Sequence, residues 1–186
     1  MDVATSFHER VIFRTDLCSH TNEGLQHPEY LRQFALETIH KIPNHALQIY
    51  TDGSMGAGAI SGSGIFIFKG TGIKICIKNP DFCSVFRSEL IAIEEAVKFC
   101  IADNVNLDVW ILSDSRSSIQ HLSEWWRYGD RTTVNIVKLL NGLSHDIRIF
   151  FQWVPSHVNV FGNEIADGLA REGSHRHTAG DDLSQK

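Results

Sequence analysis

The sequence contains no apolar run of membrane-spanning length, and its start has no basic segment followed by an apolar one. The first absence argues against a transmembrane helix, and the second argues against a secretory signal. Hydrophobic residues make up 42% and charged residues 21% of the 186 residues, which is typical of a globular domain that buries its own core. We therefore expect an intracellular protein, in the cytoplasm or the nucleus, that is not secreted and has no membrane partner.

The sequence also has no closely spaced pair of cysteines and no excess of positive charge. The four cysteines form no C-x-x-C pair and nothing else indicates an oxidising compartment, so we expect reduced thiols. The formal net charge of −5 argues against a protein that holds nucleic acid through bulk positive charge. It leaves room for a local basic track beside an acidic site, but composition alone does not indicate a nucleic-acid enzyme.

A nucleotide-binding P-loop is also absent. Residues 55–64 are rich in glycine, alanine and serine, but they contain no G-x-x-x-x-G-K-[ST] and lead into a strand rather than a helix. We interpret this segment as a flexible hairpin connection.

The sequence does contain a regular succession of strand and helix patterns, which predicts the α/β class. Three consecutive strand patterns joined by short turns predict an antiparallel meander, and two later apolar runs predict two further strands. Apolar residues spaced by three and four predict the helices that flank this five-stranded mixed sheet. The predicted strands begin at Leu47, Ile65, Ile73, Asp108 and Ile147, and the predicted helices cover 85–101, 117–126, 132–143 and 163–172.

We divide the chain into an N-terminal extension (1–44), a domain (45–173) and a tail (174–186). Within the extension, residues 28–42 have the apolar spacing of one amphipathic helix, which Pro43 ends. Gly173 is the predicted C-cap of the last helix, and the polar tail after it is expected to be disordered.

Four acidic residues stand where packing alone would not place them. Asp52 and Asp114 each end a predicted strand, and the ends of adjacent strands gather functional groups in α/β sheets. Glu89 lies on or beside the helix face that packs onto the sheet, and Asp167 lies inside the last helix. Each acid taken singly is more often a turn, a cap or a surface residue. All four together indicate a shared site.

Carboxylates brought together without a counter-charge repel one another, and some are forced to take up protons. A divalent cation relieves this repulsion, and an all-oxygen donor set favours Mg²⁺ or Mn²⁺ over Zn²⁺. The chemistry typical of such a site is two-metal phosphodiester hydrolysis, in which ions about 3.5–4 Å apart hold the attacking water and the leaving oxygen in line. We therefore expect two Mg²⁺ ions as cofactors, with Mn²⁺ as a substitute.

Four motifs occur in order along these elements: Ile49-Tyr50-Thr51-Asp52-Gly53-Ser54, Arg87-Ser88-Glu89-Leu90-Ile91-Ala92, Leu112-Ser113-Asp114-Ser115, and Trp153-Val154-Pro155-Ser156-His157 through Gly162-Asn163-Glu164-Ile165-Ala166-Asp167. Each is unspecific alone. In this order the chain resembles the type 1 ribonuclease H family, in particular the ribonuclease H domains of retrotransposon polyproteins. The resemblance covers residues 46–172 and implies a ribonuclease H-like fold for the domain.

The resemblance implies that Asp52, Glu89, Asp114 and Asp167 are catalytic residues and metal ligands. It also implies that His157, ten residues before Asp167, is a mobile-loop histidine that transfers a proton or helps product and metal to leave. The candidates for substrate binding are Gly53, Ser54, Ser84, Arg116 and Asn163.

The chain differs from the family in the residues just before Glu89, the region where family members recognise RNA. Family members commonly carry one or two asparagines shortly before the helix glutamate, where they grip the RNA 2′-hydroxyl. Val85 and Phe86 occupy that region here, although Ser84 is placed to contact a phosphate or to cap the helix. Arg116 replaces a residue that is neutral in many relatives, and it faces either the minor groove or solvent. Asn163 is predicted mainly to cap the last helix and shape the loop before it.

The resemblance implies an endonuclease that hydrolyses the RNA strand of RNA/DNA hybrids and leaves 5′-phosphate and 3′-hydroxyl ends. Two alternatives stay open: a catalytically silent, domesticated nucleic-acid-binding module, and a DNA-acting nuclease of the same fold. Little positive charge surrounds Trp125 and Trp126, where some relatives carry a basic handle, so we expect weak substrate affinity. We expect a monomer, with an upstream reverse transcriptase domain of a longer polyprotein as a candidate partner.

Overall fold

A computed structural model describes residues 9–17 and 27–175 of the chain. The strands are β1 (Val11–Arg14), β2 (Leu47–Met55), β3 (Ser61–Phe68), β4 (Ile73–Lys78), β5 (Val109–Ser113) and β6 (Ile149–Trp153). The helices are α1 (Pro28–His40), α2 (Val85–Ala102), α3 (Arg116–Ser123), α4 (Arg131–Gly142) and α5 (Phe161–His175). Within the described residues, no helix combines the length and the apolar content that crossing a bilayer requires.

The strands form one six-stranded sheet in the order β1-β6-β5-β2-β3-β4. β2, β3 and β4 are the predicted antiparallel meander, whereas β1, β6, β5 and β2 run parallel to one another. The α/β class and the mixed sheet are confirmed, but the prediction of five strands is wrong because β1 adds a sixth. Four residues are too few to show a clear period, and the partner strand β6 lies far away in sequence.

The two faces of the sheet carry separate hydrophobic cores. α2, α3 and α4 pack on one face, and α1 and α5 pack on the other. Successive residues of a strand point to opposite faces, so each strand supplies both cores. The first face includes Ile49, Ile111 and Phe151, and the second includes Tyr50, Trp110 and Phe150.

The described part of the N-terminal segment packs into the domain. β1 forms the edge of the sheet beside β6, and Ala35 of α1 is fully buried in the second core. The guanidinium of Arg10 donates hydrogen bonds to the carbonyl oxygens of Leu140, Leu143 and Ser144, at and just after the end of α4. These carbonyls are among those that a helix end leaves without an internal partner, so Arg10 satisfies them.

The glycine-rich segment is partly a strand, because residues 61–64 belong to β3. α5 lies directly on this part of the strand. A Cβ on Gly62 would lie 2.2 Å from the carbonyl oxygen of Ala170, and one on Gly64 would lie 2.0 Å from that of Ala166. The glycines therefore permit a close approach of helix and strand, which sets the position of α5.

α5 is longer than predicted at both ends. It begins at Phe161 and continues through Gly173 to His175, so neither the predicted C-cap nor the predicted start of the tail is correct. A Cβ on Gly173 would lie 2.2 Å from the carbonyl oxygen of Ile77, which shows that this glycine serves close packing. The rest of the predicted tail, 176–186, lies outside the described residues.

Candidate active site

Three acidic side chains converge in one pocket. Asp52, Glu89 and Asp114 each offer a carboxylate oxygen, and these oxygens lie within 4.8 Å of one another. β2 and β5 are parallel neighbours in which Thr51 lies opposite Ser113, so the residue that follows each of them in the chain is one of the acids. Asp52 and Glu89 are 6% and 5% exposed, whereas Asp114 is partly exposed. We call these three residues the three-acid cluster.

Asp52 does not end its strand, contrary to the prediction. β2 continues to Met55 and Asp52 lies opposite Gly64 of β3, which excludes an Asp-Gly turn. A Cβ on Gly53 would lie 2.5 Å from the backbone nitrogen of Glu89, so only glycine lets α2 come this close. The backbone amide of Gly53 also lowers the pKa of Asp52 and of Glu89, which favours their charged forms. Gly53 thus permits the convergence of the two acids.

A buried polar network, not predicted from the sequence, holds the start of α2 against β3. Ser63 Oγ donates to the carbonyl oxygen of Ser88 at 2.6 Å, and Asn79 Nδ2 donates to Ser63 Oγ at 2.9 Å. Because Ser88 directly precedes Glu89, the network helps to position this acid. Isolated serine and asparagine residues form no pattern that would have marked the network in the sequence.

Burial and mutual repulsion favour the protonated forms of the three acids. Burial, and after it the charge of Asp114, are the largest causes that together raise the pKa of Asp52 from 3.8 to about 7. Burial, and then the charges of Asp52 and Asp114, raise the pKa of Glu89 well above its ordinary value. The pKa of Asp114 is also raised by burial, against the lowering effects of the Asn163 amide and the His157 charge.

These features fit a divalent cation. Oε2 of Glu89 is buried and has no hydrogen-bond partner among the described residues. All the donors of the three-acid cluster are carboxylate oxygens, the ligand class that Mg²⁺ and Mn²⁺ prefer. A bound cation would also remove the repulsion that keeps protons on the acids.

Asp167, the fourth predicted acid, lines the same pocket but does not belong to the three-acid cluster. Arg171, one turn later on α5, donates from Nε to Oδ1 of Asp167 at 2.9 Å and from Nη2 to Oδ2. The structure therefore places Asp167 at the site within an ion pair. Arg171 was not predicted as a site residue, although the i,i+4 spacing of an acid and an arginine is a signal in the sequence.

Asn163 supports Asp114 and does not cap α5. The helix begins two residues earlier, so Asn163 lies inside its first turn and is only 2% exposed. Its Nδ2 donates to Oδ2 of Asp114 at 3.3 Å, and Nε1 of Trp153 donates to the backbone oxygen of Asp114 at 3.1 Å. Both contacts position Asp114, so the prediction of a cap at Asn163 is wrong.

The pocket around the acids has a volume of about 710 Å³. Of the other predicted site residues, Gly53, Ser54 and His157 line it. His157 is exposed and has a left-handed backbone conformation with φ of 55°. Two lining residues that were not predicted to bind substrate, Phe86 and Ser117, form part of its wall.

Three predicted substrate-binding residues lie outside the lining of this pocket: Asn163, which supports Asp114, and the exposed residues Ser84 and Arg116. Ser84 is the N-cap of α2, as also predicted, and its Oγ accepts a hydrogen bond from the backbone N–H of Arg87 at 3.2 Å. Arg116 is exposed, and its guanidinium carbon lies 4.0 Å from the centroid of the Trp153 ring. The side chains of Ser84 and Arg116 are both exposed.

The sequence profile of the family described as RNase H matches residues 44–175. The chain belongs to the RNase H family. Its relatives include ribonuclease H of Ehrlichia canis, 31% identical over 133 residues that cover 66% of this chain and 90% of that protein. Ribonuclease H of Schizosaccharomyces pombe is 29% identical over 143 residues, covering 68% of this chain and 52% of that protein.

Ribonuclease H1 of Mus musculus is 28% identical over 141 residues, covering 68% of this chain and 49% of that protein. The chain thus spans about half the length of the yeast and mouse members of the RNase H family. The crystal structure of RNase H1 from Halobacterium salinarum NRC-1 has a TM-score of 0.54 and 22% sequence identity, covering 69% of this chain and 96% of that one. The fold is therefore that of a ribonuclease H, and the resemblance to type 1 ribonuclease H is confirmed. Its retrotransposon branch stays a prediction.

Proposed function

We propose that the chain is a Mg²⁺-dependent endonuclease that hydrolyses the RNA strand of RNA/DNA hybrids by a two-metal mechanism. Its products would carry 5′-phosphate and 3′-hydroxyl ends. The observation that carries the proposal is the convergence of three carboxylates within 4.8 Å, in a pocket of a chain that belongs to the RNase H family. The names of its relatives, ribonuclease H and ribonuclease H1, support this activity.

Asp52, Glu89, Asp114 and Asp167 would hold the ions in this proposal. Bound there, divalent ions would supply Lewis acidity toward the scissile phosphate and lower the pKa of the attacking water. Asn163 keeps Asp114 in place through its amide hydrogen bond.

His157 is exposed at the same pocket, where it is placed to exchange a proton with the reacting groups or with solvent. Arg116 and Ser84, exposed beyond the pocket lining, would meet phosphates or the minor groove of the substrate. Ser54 would contact the substrate inside the pocket, next to Gly53. Val85 and Phe86 offer no side-chain donor to a 2′-hydroxyl, so we infer that apolar contact replaces that hydrogen bond in their region.

The deciding experiment compares an end-labelled RNA/DNA hybrid with duplex DNA and duplex RNA, each incubated with Mg²⁺. We expect cleavage of the RNA strand of the hybrid alone, with 5′-phosphate ends. The variant Glu89→Gln should lower the rate by at least about 10³-fold, since it removes a ligand from the three-acid cluster. The matched control is Glu95→Gln on the same helix, where the acid pairs with Lys98 on the surface, and it should keep the wild-type rate.

Other outcomes would assign the chain to one of the alternatives. Cleavage of duplex DNA would indicate a DNA-acting nuclease of this fold. Binding of the hybrid without cleavage of any substrate would indicate a catalytically silent module.

A further inference from the structure

The pocket contains an ion pair whose two partners differ in exposure. The side chain of Asp167 is 12% exposed, whereas that of Arg171 is 58% exposed. Both residues line the pocket of the three-acid cluster. Among the described residues that line it, Arg171 is the only side chain with a permanent positive charge.

We propose that Arg171 is a positioning residue that keeps Asp167 from binding metal until the substrate arrives. In the free protein the three-acid cluster takes one ion, and Asp167 becomes a ligand only after its ion pair with Arg171 opens. The guanidinium then exchanges the carboxylate of Asp167 for a phosphate of the substrate. This inference rests on the proposed function, because it describes how the same site fills.

The geometry of the pair accounts for the order of binding. Arg171 engages both carboxylate oxygens of Asp167, so this acid has no oxygen free of the guanidinium. A second divalent ion at Asp167 would also be repelled by the guanidinium beside it. The three-acid cluster has neither obstacle, since Oε2 of Glu89 is buried and lacks a hydrogen-bond partner among the described residues. The first ion should therefore bind much more tightly than the second.

The exposure of Arg171 accounts for the exchange. A guanidinium binds phosphate through the same pair of parallel hydrogen bonds that it makes to a carboxylate. Because the Arg171 side chain is largely open to solvent, a backbone phosphate can reach it without displacing α5. Arrival of the substrate then frees Asp167. By linkage, substrate and second ion should raise each other's affinity.

The first test measures Mn²⁺ binding to the full chain in the absence of substrate, by calorimetry and by electron paramagnetic resonance. Wild type should bind one ion tightly and a second at least about tenfold more weakly. Arg171→Ala should bind the second ion about tenfold more tightly than wild type and leave the first unchanged, whereas Asp167→Asn should lose the second. A variant that was merely damaged would not gain affinity.

The matched control is Lys69→Ala, which removes one positive charge from the ion pair with Asp103, at the opposite end of α2 from Glu89. It should bind both ions as wild type does. Equal affinities of wild type and Arg171→Ala for the second ion would overturn the inference. Failure of every variant to bind an ion at the three-acid cluster would instead contradict the proposed function.

If circular dichroism shows that Arg171→Ala does not fold, Arg171→Lys replaces it in this test. The ammonium group of lysine keeps the charge but lacks the planar fork that engages two oxygens at once. We expect Arg171→Lys to bind the second ion more tightly than wild type does. Its affinity should still be lower than that of an Asp167 carboxylate with no cation beside it. An affinity equal to that of wild type would count against the inference.

The second test measures hybrid cleavage at saturating Mg²⁺. Arg171→Ala should raise KM about tenfold. Because one phosphate contact is lost, the negative slope of log(1/KM) against log[salt] should become shallower by about one. Lys69→Ala should change neither quantity. An unchanged KM and salt slope in Arg171→Ala would overturn the exchange of Asp167 for phosphate.

Discussion

At the scale of single residues, the candidate site depends on carboxylates that the fold holds together against their repulsion. Asp52, Glu89 and Asp114 were predicted as a group together with Asp167, because each acid stood in the sequence where packing alone gave no reason for one. The structure brings their oxygens within 4.8 Å of one another. The residues that support them, Ser63 and Asn163, were not identified in that role, because a hydrogen-bond partner distant in sequence leaves no local pattern.

The raised pKa of Asp52 leads to a prediction about stability. Its pKa is 3.8 ordinarily and about 7 in the fold, so between about pH 4 and pH 7 the native state retains a proton that the unfolded state releases. Without divalent ions, wild type should therefore lose stability as pH rises through this window. Asp52→Asn should exceed wild type in stability by about 1–3 kcal/mol near pH 8 and match it near pH 4.

Thermal unfolding in a chelating buffer checks this expectation, with Asp146→Asn as the control because Asp146 is exposed. Added Mg²⁺ should raise the melting temperature of wild type and leave that of Asp52→Asn nearly unchanged. A melting temperature of Asp52→Asn below that of wild type at pH 8 in chelator would contradict the prediction.

At the scale of elements, glycines decide how closely helices approach the sheet. Gly53 admits α2, and Gly62 and Gly64 admit α5, so both helices bring their acids to the same pocket. The helices themselves were predictable from apolar spacings, because that period is local. Their contact with particular glycines was not, and residues 61–64 were interpreted as a flexible connection although they form part of β3.

Gly64→Ala should therefore destabilise the protein and impair the site. The added Cβ would lie 2.0 Å from the carbonyl oxygen of Ala166, so α5 must shift, at a cost of about 3 kcal/mol or more. We expect a lower melting temperature and weaker cleavage, because Asp167 moves with the helix. Gly142→Ala at the end of α4 is the control, since its Cβ would meet open space and its effect should stay within about 1 kcal/mol. Equal stabilities of the two variants, measured by urea unfolding, would refute this account of α5.

At the scale of the whole molecule, the described part of the N-terminal segment packs against the domain. The sequence had predicted only that this segment precedes the domain. β1 completes one edge of the sheet, α1 covers the second core, and Arg10 caps the end of α4. The division into an extension (1–44) and a domain (45–173) followed the predicted helix that Pro43 ends and the range of the family resemblance. The contacts of the described residues cross that division.

Arg10→Ala should show how much this packing contributes. Arg10 is buried and donates three hydrogen bonds to carbonyl oxygens, so its loss should lower the free energy of unfolding by about 2–3 kcal/mol. Urea unfolding measures this free energy. Glu9→Ala is the control, because the neighbouring Glu9 is exposed. If both variants have the same midpoint urea concentration of unfolding as wild type, Arg10 contributes nothing to stability.

The sequence by itself determined the family, the α/β class and the identities of the acids, because strand and helix periods and short motifs are local properties of a chain. Only the tertiary structure decided that Asp52 lies in mid-strand, that a sixth strand joins the sheet, and that Arg171 occupies both oxygens of Asp167. Each of these depends on which backbones and side chains meet in space. Hydrophobic periodicity shows which face of an element is buried, but not which partner lies against it.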